Sequence, residues 1–325
     1  MPASPRISVI MPTHNRPELL AEAIDSVMAQ TVEDFELIVV DDGSQPESPI
    51  ESLIQQFGPR LRGVRHPAPR GGPAAKNTGV LKANGELLAF LDDDDLYAPE
   101  YLEKAADMLE RNPDIGVVFM GVSWFGTSAE WGGNAYDNGM RLVLEKAGGN
   151  ETEPGVHLFG ELLVAALLDR VPMAFQRPVV RREAFEQIGG YRSGCLLWDC
   201  DWAIRAAIAV SCALISEGLY LQRSDQQGLS SRPSRKLEQM QSNAEIKERL
   251  LGEHVEDMEM AALLRRSAAQ AWFDIAYHHL LGKQCASSLN AWRRSRKLSP
   301  QVAGKKFLAR LALRSLGIGK GAPAD

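Results

Sequence analysis

The sequence has few cysteines, and they are widely separated. Four occur among 325 residues, and no two stand in C-x-x-C spacing. This usage is too sparse for a disulfide framework and lacks the spacing of a structural zinc site. It is typical of a reducing compartment, so we expect a cytoplasmic protein stabilised by an ordinary hydrophobic core.

Long apolar runs and excess positive charge are also missing. A membrane-spanning helix needs about 20 apolar residues, and the run Ile7 to Met11 is too short even for a signal peptide. The 36 Lys and Arg residues face 42 Asp and Glu residues, which gives a net charge of -6. Such a balance argues against nucleic acid as the main partner. We expect a protein that is soluble or at most peripheral on the inner face of a membrane.

Strand-like and helix-like patterns alternate in the first third of the chain. A composition of 45% hydrophobic and 24% charged residues is that of a globular protein. The alternation predicts an α/β fold with a doubly wound, mostly parallel sheet whose first half is Rossmann-like. From about residue 235 the pattern is almost wholly helical. We therefore predict a first domain at 1–232 that carries this sheet and an α-helical C-terminal extension at 233–325.

Two later stretches give less regular patterns. The stretch Gly126 to Gly155 is rich in Gly, Asn and Glu, which predicts a long excursion or a mobile flap. The next stretch, Val156 to Leu168, reads as a helix. Within 271–300, Trp272 and Trp292 have a spacing that resembles one tetratricopeptide-like helix pair.

Four consecutive aspartates, Asp92 to Asp95, follow the apolar run Leu87 to Leu91. Carboxylates this close repel one another, and some take up protons unless a cation lies among them. Mg²⁺ and Mn²⁺ prefer oxygen ligands and commonly join carboxylates to phosphates. The alternative is a solvated acidic turn that caps the helix near Pro99. Ligands of α/β sheets bind at the carboxyl ends of strands, so the position favours a metal site.

Seven short motifs follow one another in the first two-thirds of the chain. They are SVIMPTHNR (8–16), VVDDGS (39–44), AKNTG (75–79), FLDDDD (90–95), VRREAF (180–185), GGY (189–191) and WDCD (198–201). In this order and spacing they resemble the family 2 glycosyltransferases of the GT-A fold, over about residues 7–230. The resemblance implies an inverting, metal-dependent enzyme that uses a nucleotide-sugar donor.

The resemblance implies a base-binding region at the first two strand ends. Asp42 matches the carboxylate that accepts the N3–H of uracil, with Asp41 beside it. Pro12, Thr13 and His14 match positions that line the base pocket. Each has a simpler alternative, since the DDGS segment is also an ordinary Asp/Gly turn and His14 is equally a surface histidine at a helix start.

The resemblance also assigns the helix that carries AKNTG and the acidic run. Lys76 and Asn77 would face the nucleotide, although a lysine on a solvated helix face is the commoner case. Asp94 would ligate Mn²⁺ or Mg²⁺ directly. Asp93 would contact the ribose or the metal's water shell, and Asp92 completes the nucleotide-binding set.

Two positions depart from the family pattern. The family base is the Asp of a Glu-Asp-x-Asp segment, which makes Asp199 the general base, but Trp198 replaces the usual acid. Asp199 and Asp201 are alternatively N-terminal helix acids that interact with the helix dipole, an explanation that suits Asp201. Many relatives carry a histidine that completes the metal site where this chain offers Asp225.

The resemblance implies a hexosyltransferase-type enzyme that acts in bacterial polysaccharide or glycoconjugate synthesis. A UDP-sugar is the favoured donor, and the acceptor is a hydroxyl of a saccharide or a lipid-linked molecule. The basic and apolar helix near 305–314 predicts either packing on the protein or binding to an anionic membrane surface. Two alternatives stay open. One is an inactive nucleotide-sugar-binding partner module. The other is a sugar nucleotidyltransferase, although its glycine-rich loop after the first strand is absent.

Overall fold

The structure is a computed structural model that describes residues 5–127, 129–224 and 233–315. The chain divides into two compact units. The first contains Met1–Gly194 and Trp198–Gln227, and the second contains Cys195–Leu197 and Gly228–Asp325. The main division therefore falls between residues 227 and 228, whereas the boundary predicted from the sequence lies between 232 and 233.

The first unit is a ten-stranded sheet with helices. Its strand order is β3-β2-β1-β4-β9-β6-β10-β8-β7, with β5 paired to β10. The strands are β1 (Ile7–Thr13), β2 (Phe35–Asp41), β3 (Leu61–Arg65), β4 (Leu87–Phe90), β5 (Leu96–Tyr97), β6 (Ile115–Phe125), β7 (Asn150–Glu153), β8 (Val156–Phe159), β9 (Pro178–Arg181) and β10 (Ser211–Arg223). The helices of this unit are α1 (Pro17–Met28), α2 (Ile50–Gln56), α3 (Gly72–Lys82), α4 (Tyr101–Arg111), α5 (Ala129–Ala147), α6 (Leu162–Asp169), α7 (Arg182–Ile188) and α8 (Trp198–Ala209).

The strands β3, β2, β1 and β4 are parallel neighbours. Every residue of β2 and β4 is buried, because parallel strands carry helices on both faces and so have continuous apolar sequences. Thr13 at the end of β1 is in register with Asp41 at the end of β2. The polar residues that follow these strands therefore come to one edge of the sheet, as the sequence predicted.

The strand β9 is antiparallel and lies between β4 and β6. Because its direction is reversed, its first residues, and not its last, lie at the edge where β4 ends. This topology brings Arg177, the residue before β9, to that edge. The α/β fold with a mixed, mostly parallel sheet is confirmed, with this antiparallel insertion as the main departure from a doubly wound sheet.

Two sequence predictions about the middle of the chain are wrong. The predicted flap at 126–155 contains the helix α5, whose buried Met140, Val143 and Ala147 have helical spacing. Packing of this face outweighs the low helix propensity of the three glycines within α5. The predicted helix at 156–168 is instead the strand β8 followed by α6. β8 pairs antiparallel with β10, an interaction that local periodicity does not reveal.

The pairing of β6 and β10 is irregular before the last residues of β10. The register changes between Ile215 and Tyr220, where β10 has extra residues opposite Gly121. A Cβ at Gly121 would lie 2.3 Å from the Ser216 carbonyl oxygen. Glycine is therefore required here, as is common where a bulge brings two backbones close together.

The second unit is helical. Its helices are α9 (Lys236–Glu253), α10 (Met258–Leu281), α11 (Cys285–Leu298) and α12 (Lys306–Ser315). Trp272, Trp292, Phe307 and Leu311 are buried in its own core, and the Phe273 and Phe307 rings lie 5.3 Å apart. The apolar side of α12 thus packs on protein. Among the described residues, no helix is long and apolar enough to cross a bilayer.

Candidate functional site

The Asp42 carboxylate holds the turn that starts α3. It accepts hydrogen bonds from the backbone N–H of Gly71 (2.7 Å) and of Arg70 (2.9 and 3.1 Å to its two oxygens). His66 Nδ1 lies 2.7 Å from the same carboxylate, and its Nε2 lies 2.9 Å from Thr78 Oγ1. Burial opposes ionisation, but these donors outweigh it and lower the pKa of Asp42. Asp42 is therefore an ionised, turn-forming group at the tip of β2.

Asp41 and His14 complete this corner of the edge. Asp41 Oδ1 accepts the Ser44 N–H at 2.9 Å, so the DDGS segment does form the turn that its composition predicts. Pro12 is partly buried in β1, opposite Val40. The exposed His14 has its Nδ1 3.0 Å from the Asp42 carbonyl oxygen, so this ring stands at the rim of the edge.

Asp92 is paired with two buried cations. Its oxygens lie 2.8 Å from Lys76 Nζ and 3.4 Å from Arg177 Nη1. Burial favours the neutral acid, but Lys76 and Arg177 outweigh it and hold the pKa of Asp92 at about 2. Asp92 is therefore ionised at neutral pH, and its charge is compensated by the protein itself.

Lys76 does not lie on a solvated helix face, so that alternative is wrong. Its ammonium is buried and lies 4.8 Å from the centroid of the Trp198 ring, with the rings of Tyr191 and Phe90 at 5.7 and 5.9 Å. Aromatic faces attract a desolvated cation. The tryptophan that replaces the family's usual acid is thus a wall of the Lys76 pocket.

Asn77, next to Lys76, is engaged by the GGY segment. Its Nδ2 donates to the Tyr191 carbonyl at 2.7 Å, and its Oδ1 accepts the Tyr191 N–H at 2.8 Å. Both ends of the amide are therefore bonded to the backbone of one residue, Tyr191. Asn77 therefore fixes the backbone at 190–191 beside α3.

Asp93 and Asp94 are joined by Arg16. Arg16 Nη1 lies 3.2 Å from Asp93 Oδ1 and 2.9 Å from Asp94 Oδ2. Asp93 is buried and accepts a hydrogen bond from Thr13 Oγ1 at 2.7 Å. Burial raises the pKa of Asp93 to about 6, with the neighbouring Asp94 adding to the effect. Asp94 is more accessible than Asp93, with its side chain 26% exposed against 9% for Asp93.

Asp95 is a structural member of the acidic run. It is fully buried, accepts hydrogen bonds from Tyr220 Oη (2.9 Å) and the Arg223 N–H (2.9 Å), and contacts Gln222 at 3.1 Å. Burial raises the pKa of Asp95 to about 7, against the opposing effect of Arg177. Asp95 thus anchors the end of β10 to the loop after β4.

Asp199 stands in the first turn of α8, near the cations of the acidic run. Burial raises its pKa, while Arg177 and Lys76 oppose that effect and Asp92 adds to it. Its Oδ1 accepts the Cys200 N–H at 2.8 Å, which leaves most of its acceptor capacity unused. The helix start therefore presents a carboxylate with a raised proton affinity to the same edge as Asp92.

Asp201 differs from Asp199 in being fully buried and paired. Its Oδ2 accepts from Arg205 Nε at 2.9 Å. The Arg205 guanidinium also donates to the carbonyls of Ile188 (2.6 Å) and Gly190 (2.8 Å). Asp201 and Arg205 together hold the GGY segment from the side of α8.

A divalent cation fits this edge if the donor supplies part of its coordination. The described ranges contain no group of three His, Cys, Asp or Glu side chains arranged to hold a metal ion. They do contain Asp94, a hard oxygen ligand that is still solvent-accessible. Mg²⁺ is usually bound through one or two carboxylates plus substrate phosphates, and this donor set suits that pattern. The predicted ligand Asp225 lies outside the described residues.

The sequence reasoning missed Arg177 and His66. Arg177 is buried, donates to Gln222 Oε1 at 2.7 Å and lies over the Tyr220 ring at 4.4 Å. Its position depends on the antiparallel direction of β9, which no local pattern reveals. His66 follows the short strand β3, and one cue was available, since a histidine after a parallel strand points to the same sheet edge.

Comparison with known proteins gives a family match over part of the chain and a shared fold. Residues 8–160 match the family model described as Glycosyl transferase family 2. An uncharacterized glycosyltransferase of Haemophilus influenzae is 33% identical over 113 residues, which cover 35% of this chain and 37% of that protein. One from Methanocaldococcus jannaschii is 37% identical over 123 residues, 37% of this chain and 41% of that protein. The chain thus spans less than half the length of these curated relatives.

Two solved structures share the fold over most of the chain. A mannosyltransferase from Pyrobaculum calidifontis in complex with GDP-Man and Mn²⁺ has a TM-score of 0.56 at 19% identity, over 97% of this chain and 87% of that one. S. aureus TarS 1-349 in complex with UDP-GlcNAc has a TM-score of 0.57 at 16% identity, over 91% and 92%. At these identities the likeness establishes the fold.

Proposed function

Because residues 8–160 match the model of glycosyl transferase family 2, we propose that this chain is an inverting hexosyltransferase-type enzyme. It would move a sugar from a nucleotide-diphosphate donor to a hydroxyl of a saccharide or lipid-linked acceptor, in bacterial polysaccharide or glycoconjugate synthesis. One observation carries the proposal. Asp199 directly follows Trp198, whose ring lies 4.8 Å from Lys76 Nζ, and burial raises the pKa of its carboxyl against the opposing charges of Arg177 and Lys76, which supports its assignment as the base.

The corner formed by β1 and β2 is the proposed base pocket. Pro12, Thr13, His14 and Asp41 border it, and Asp42 lies at its floor. The Arg70 N–H contacts both Asp42 oxygens, at 2.9 and 3.1 Å. The longer contact is the weaker one, so we expect the N3–H of uracil to replace it as a donor to that oxygen. This reasoning favours a UDP-sugar. The two structural relatives hold GDP-Man and UDP-GlcNAc, so the nucleobase is a point for direct measurement.

The acidic run is the proposed ribose and diphosphate region. Asp92 and Asp93 would contact the nucleotide, while Lys76 and Asn77 keep the surrounding walls in place. Asp94 would be the protein's carboxylate ligand of Mn²⁺ or Mg²⁺, with Asp225 as a further candidate. The cation, when bound, supplies Lewis-acid neutralisation of the departing diphosphate.

Asp199 is the proposed general base. As the acceptor oxygen bonds to the anomeric carbon and the bond to the diphosphate breaks, the hydroxyl proton passes to the Asp199 carboxylate. A raised proton affinity helps this transfer, provided that the carboxylate is ionised at the working pH. Lys76 and Arg177 favour the ionised form and so oppose the effect of burial.

We further propose peripheral binding to the inner face of an anionic membrane through the second unit. No Asp or Glu occurs between Asp274 and Asp325. On α11 and α12, the exposed cations include Arg293, Lys297 and Arg310. Phe307 and Leu311 of α12 are already buried in the core of this unit, so we expect the attraction to be mainly electrostatic and sensitive to salt.

The test is a screen of nucleotide sugars for thermal stabilisation with Mn²⁺, followed by donor hydrolysis and transfer assays. We expect a UDP-sugar to stabilise the protein most, and EDTA or Asp94→Ala to weaken its binding. UDP binding that is unchanged by both would refute the metal site. Binding without hydrolysis or transfer of any donor would favour an inactive binding module.

A further inference from the structure

In the described part of the chain, three cationic side chains pair with carboxylates of the acidic run Asp92 to Asp95. They are Arg16, Lys76 and Arg177. Lys76 and Arg177 pair with Asp92, and their side chains are 3% and 6% exposed. Arg16 pairs with Asp93 and Asp94, and its side chain is 31% exposed. These cations therefore reduce the repulsion among the neighbouring carboxylates. Of the three, Arg16 is the one that remains accessible to solvent.

The two buried cations are held by several contacts besides their carboxylates. Lys76 is surrounded by the rings of Phe90, Tyr191 and Trp198. Arg177 donates to Gln222 and stacks on Tyr220. Moving either group would expose aromatic surface and leave a buried charge unpaired, which is costly. These two cations are permanent parts of the wall.

Arg16 is held differently, because its backbone is fixed while its side chain is not enclosed. Pro17 starts α1 directly after it, and the preceding Asn15 accepts the Gln45 N–H at 2.8 Å and donates its own N–H to Ser44 Oγ at 2.9 Å. The guanidinium reaches from this anchored backbone to the Asp94 carboxylate. A long side chain on a fixed base is able to change partners without a backbone movement.

We propose that Arg16 is the exchangeable counter-ion of the acidic run. It pairs with Asp94 in the free protein, gives up this carboxylate to the divalent cation, and then pairs with the diphosphate of the donor. The inference rests on the proposed function, since it takes Asp94 as the metal ligand and a nucleoside diphosphate as the ligand. Metal and nucleotide would then promote each other's binding, because each removes the competitor of the other.

The experiment measures Mn²⁺ binding by calorimetry, with and without UDP, for the full-length wild type and for Arg16→Gln. Arg6→Gln is the control, because the Arg6 side chain is about as exposed as that of Arg16 (35% against 31%) and pairs with a carboxylate away from the acidic run (2.8 Å, with Glu110). We expect Arg16→Gln to bind Mn²⁺ alone about fivefold more tightly, the size of a partly exposed ion pair. We also expect the variant to gain less affinity from UDP than the wild type does.

The outcomes separate the inference from the proposed function. A wild type that binds Mn²⁺ and UDP together, beside an Arg16→Gln variant with unchanged or weaker affinity for Mn²⁺ alone, overturns only the exchange. A wild type that binds neither Mn²⁺ nor UDP overturns the metal site and the exchange together. Arg16→Lys keeps the charge and should behave like the wild type. An Arg16→Lys protein that resembles Arg16→Gln would contradict a role as counter-ion.

Discussion

The aspartates of α8 allow a double test of the proposed base, because Asp199 and Asp201 are two residues apart but differ in surroundings. Asp199→Asn keeps the shape of the side chain and removes its ability to accept a proton. Loss of a general base costs about 10²–10⁴ in rate. Donor affinity should stay unchanged, because the base acts on the acceptor hydroxyl.

The expected effects on stability have opposite signs. Burial raises the folded-state pKa of Asp199 above its unfolded value, so the ionised carboxylate destabilises the folded protein above that pKa. Asp199→Asn removes this cost and should leave the melting temperature equal or higher. Asp201 is 0% exposed and paired with Arg205. Asp201→Asn should cost about 3 kcal/mol, or roughly 6–12 °C in melting temperature, because an amide replaces the charge that faces Arg205.

The assays are sugar transfer, UDP binding and thermal melting of both variants. The wild-type rate should also fall as the pH drops through the raised pKa of Asp199, since the protonated acid cannot accept a proton. A well-folded but inactive Asp201→Asn, beside a nearly normal Asp199→Asn, would show that the base is assigned to the wrong aspartate. Normal transfer by both variants would place the base elsewhere.

Three further predictions concern a buried charge, a close backbone contact and the basic surface of the second unit. Lys76→Met should destabilise the protein by on the order of 2–3 kcal/mol in urea unfolding, because it leaves Asp92 with Arg177 alone, whereas Lys104→Met at the exposed pair with Glu217 should change little. Gly121→Ala should lower the melting temperature sharply, since its Cβ would meet the Ser216 carbonyl, while Gly252→Ala in α9, where nothing lies within 4 Å of the added Cβ, should stabilise by about 0.5–1 kcal/mol. Serine at Arg293, Lys297 and Arg310 should abolish pelleting with anionic vesicles and leave donor hydrolysis intact; pelleting that is unchanged, or equal with zwitterionic vesicles, would contradict electrostatic binding.

The sequence predicts well the features that depend on local patterns. The strands β1, β2 and β4 are continuous apolar runs, and their polar ends meet because parallel neighbours share an edge. The position of Asp201 at a helix start was also readable. Features that depend on partners distant in the sequence were not predicted. Arg177 reaches the site through the reversed β9, α5 exists because Met140 and Val143 are buried, and Lys76 is buried because three rings surround it.

The main chain of the segment Gly189–Tyr191 is held from two sides. Asn77 on α3 binds both polar atoms of the Tyr191 backbone, and Arg205 on α8 binds the carbonyls before it. Both glycines are constrained in identity, because Gly189 has a φ of +81° and a Cβ at Gly190 would lie 2.7 Å from Asn77 Oδ1. For protein engineering, we expect Asn77, Gly189, Gly190 and Arg205 to be the positions that must stay unchanged when other residues near α8 are exchanged between relatives, because they join α8 to α3 through this segment.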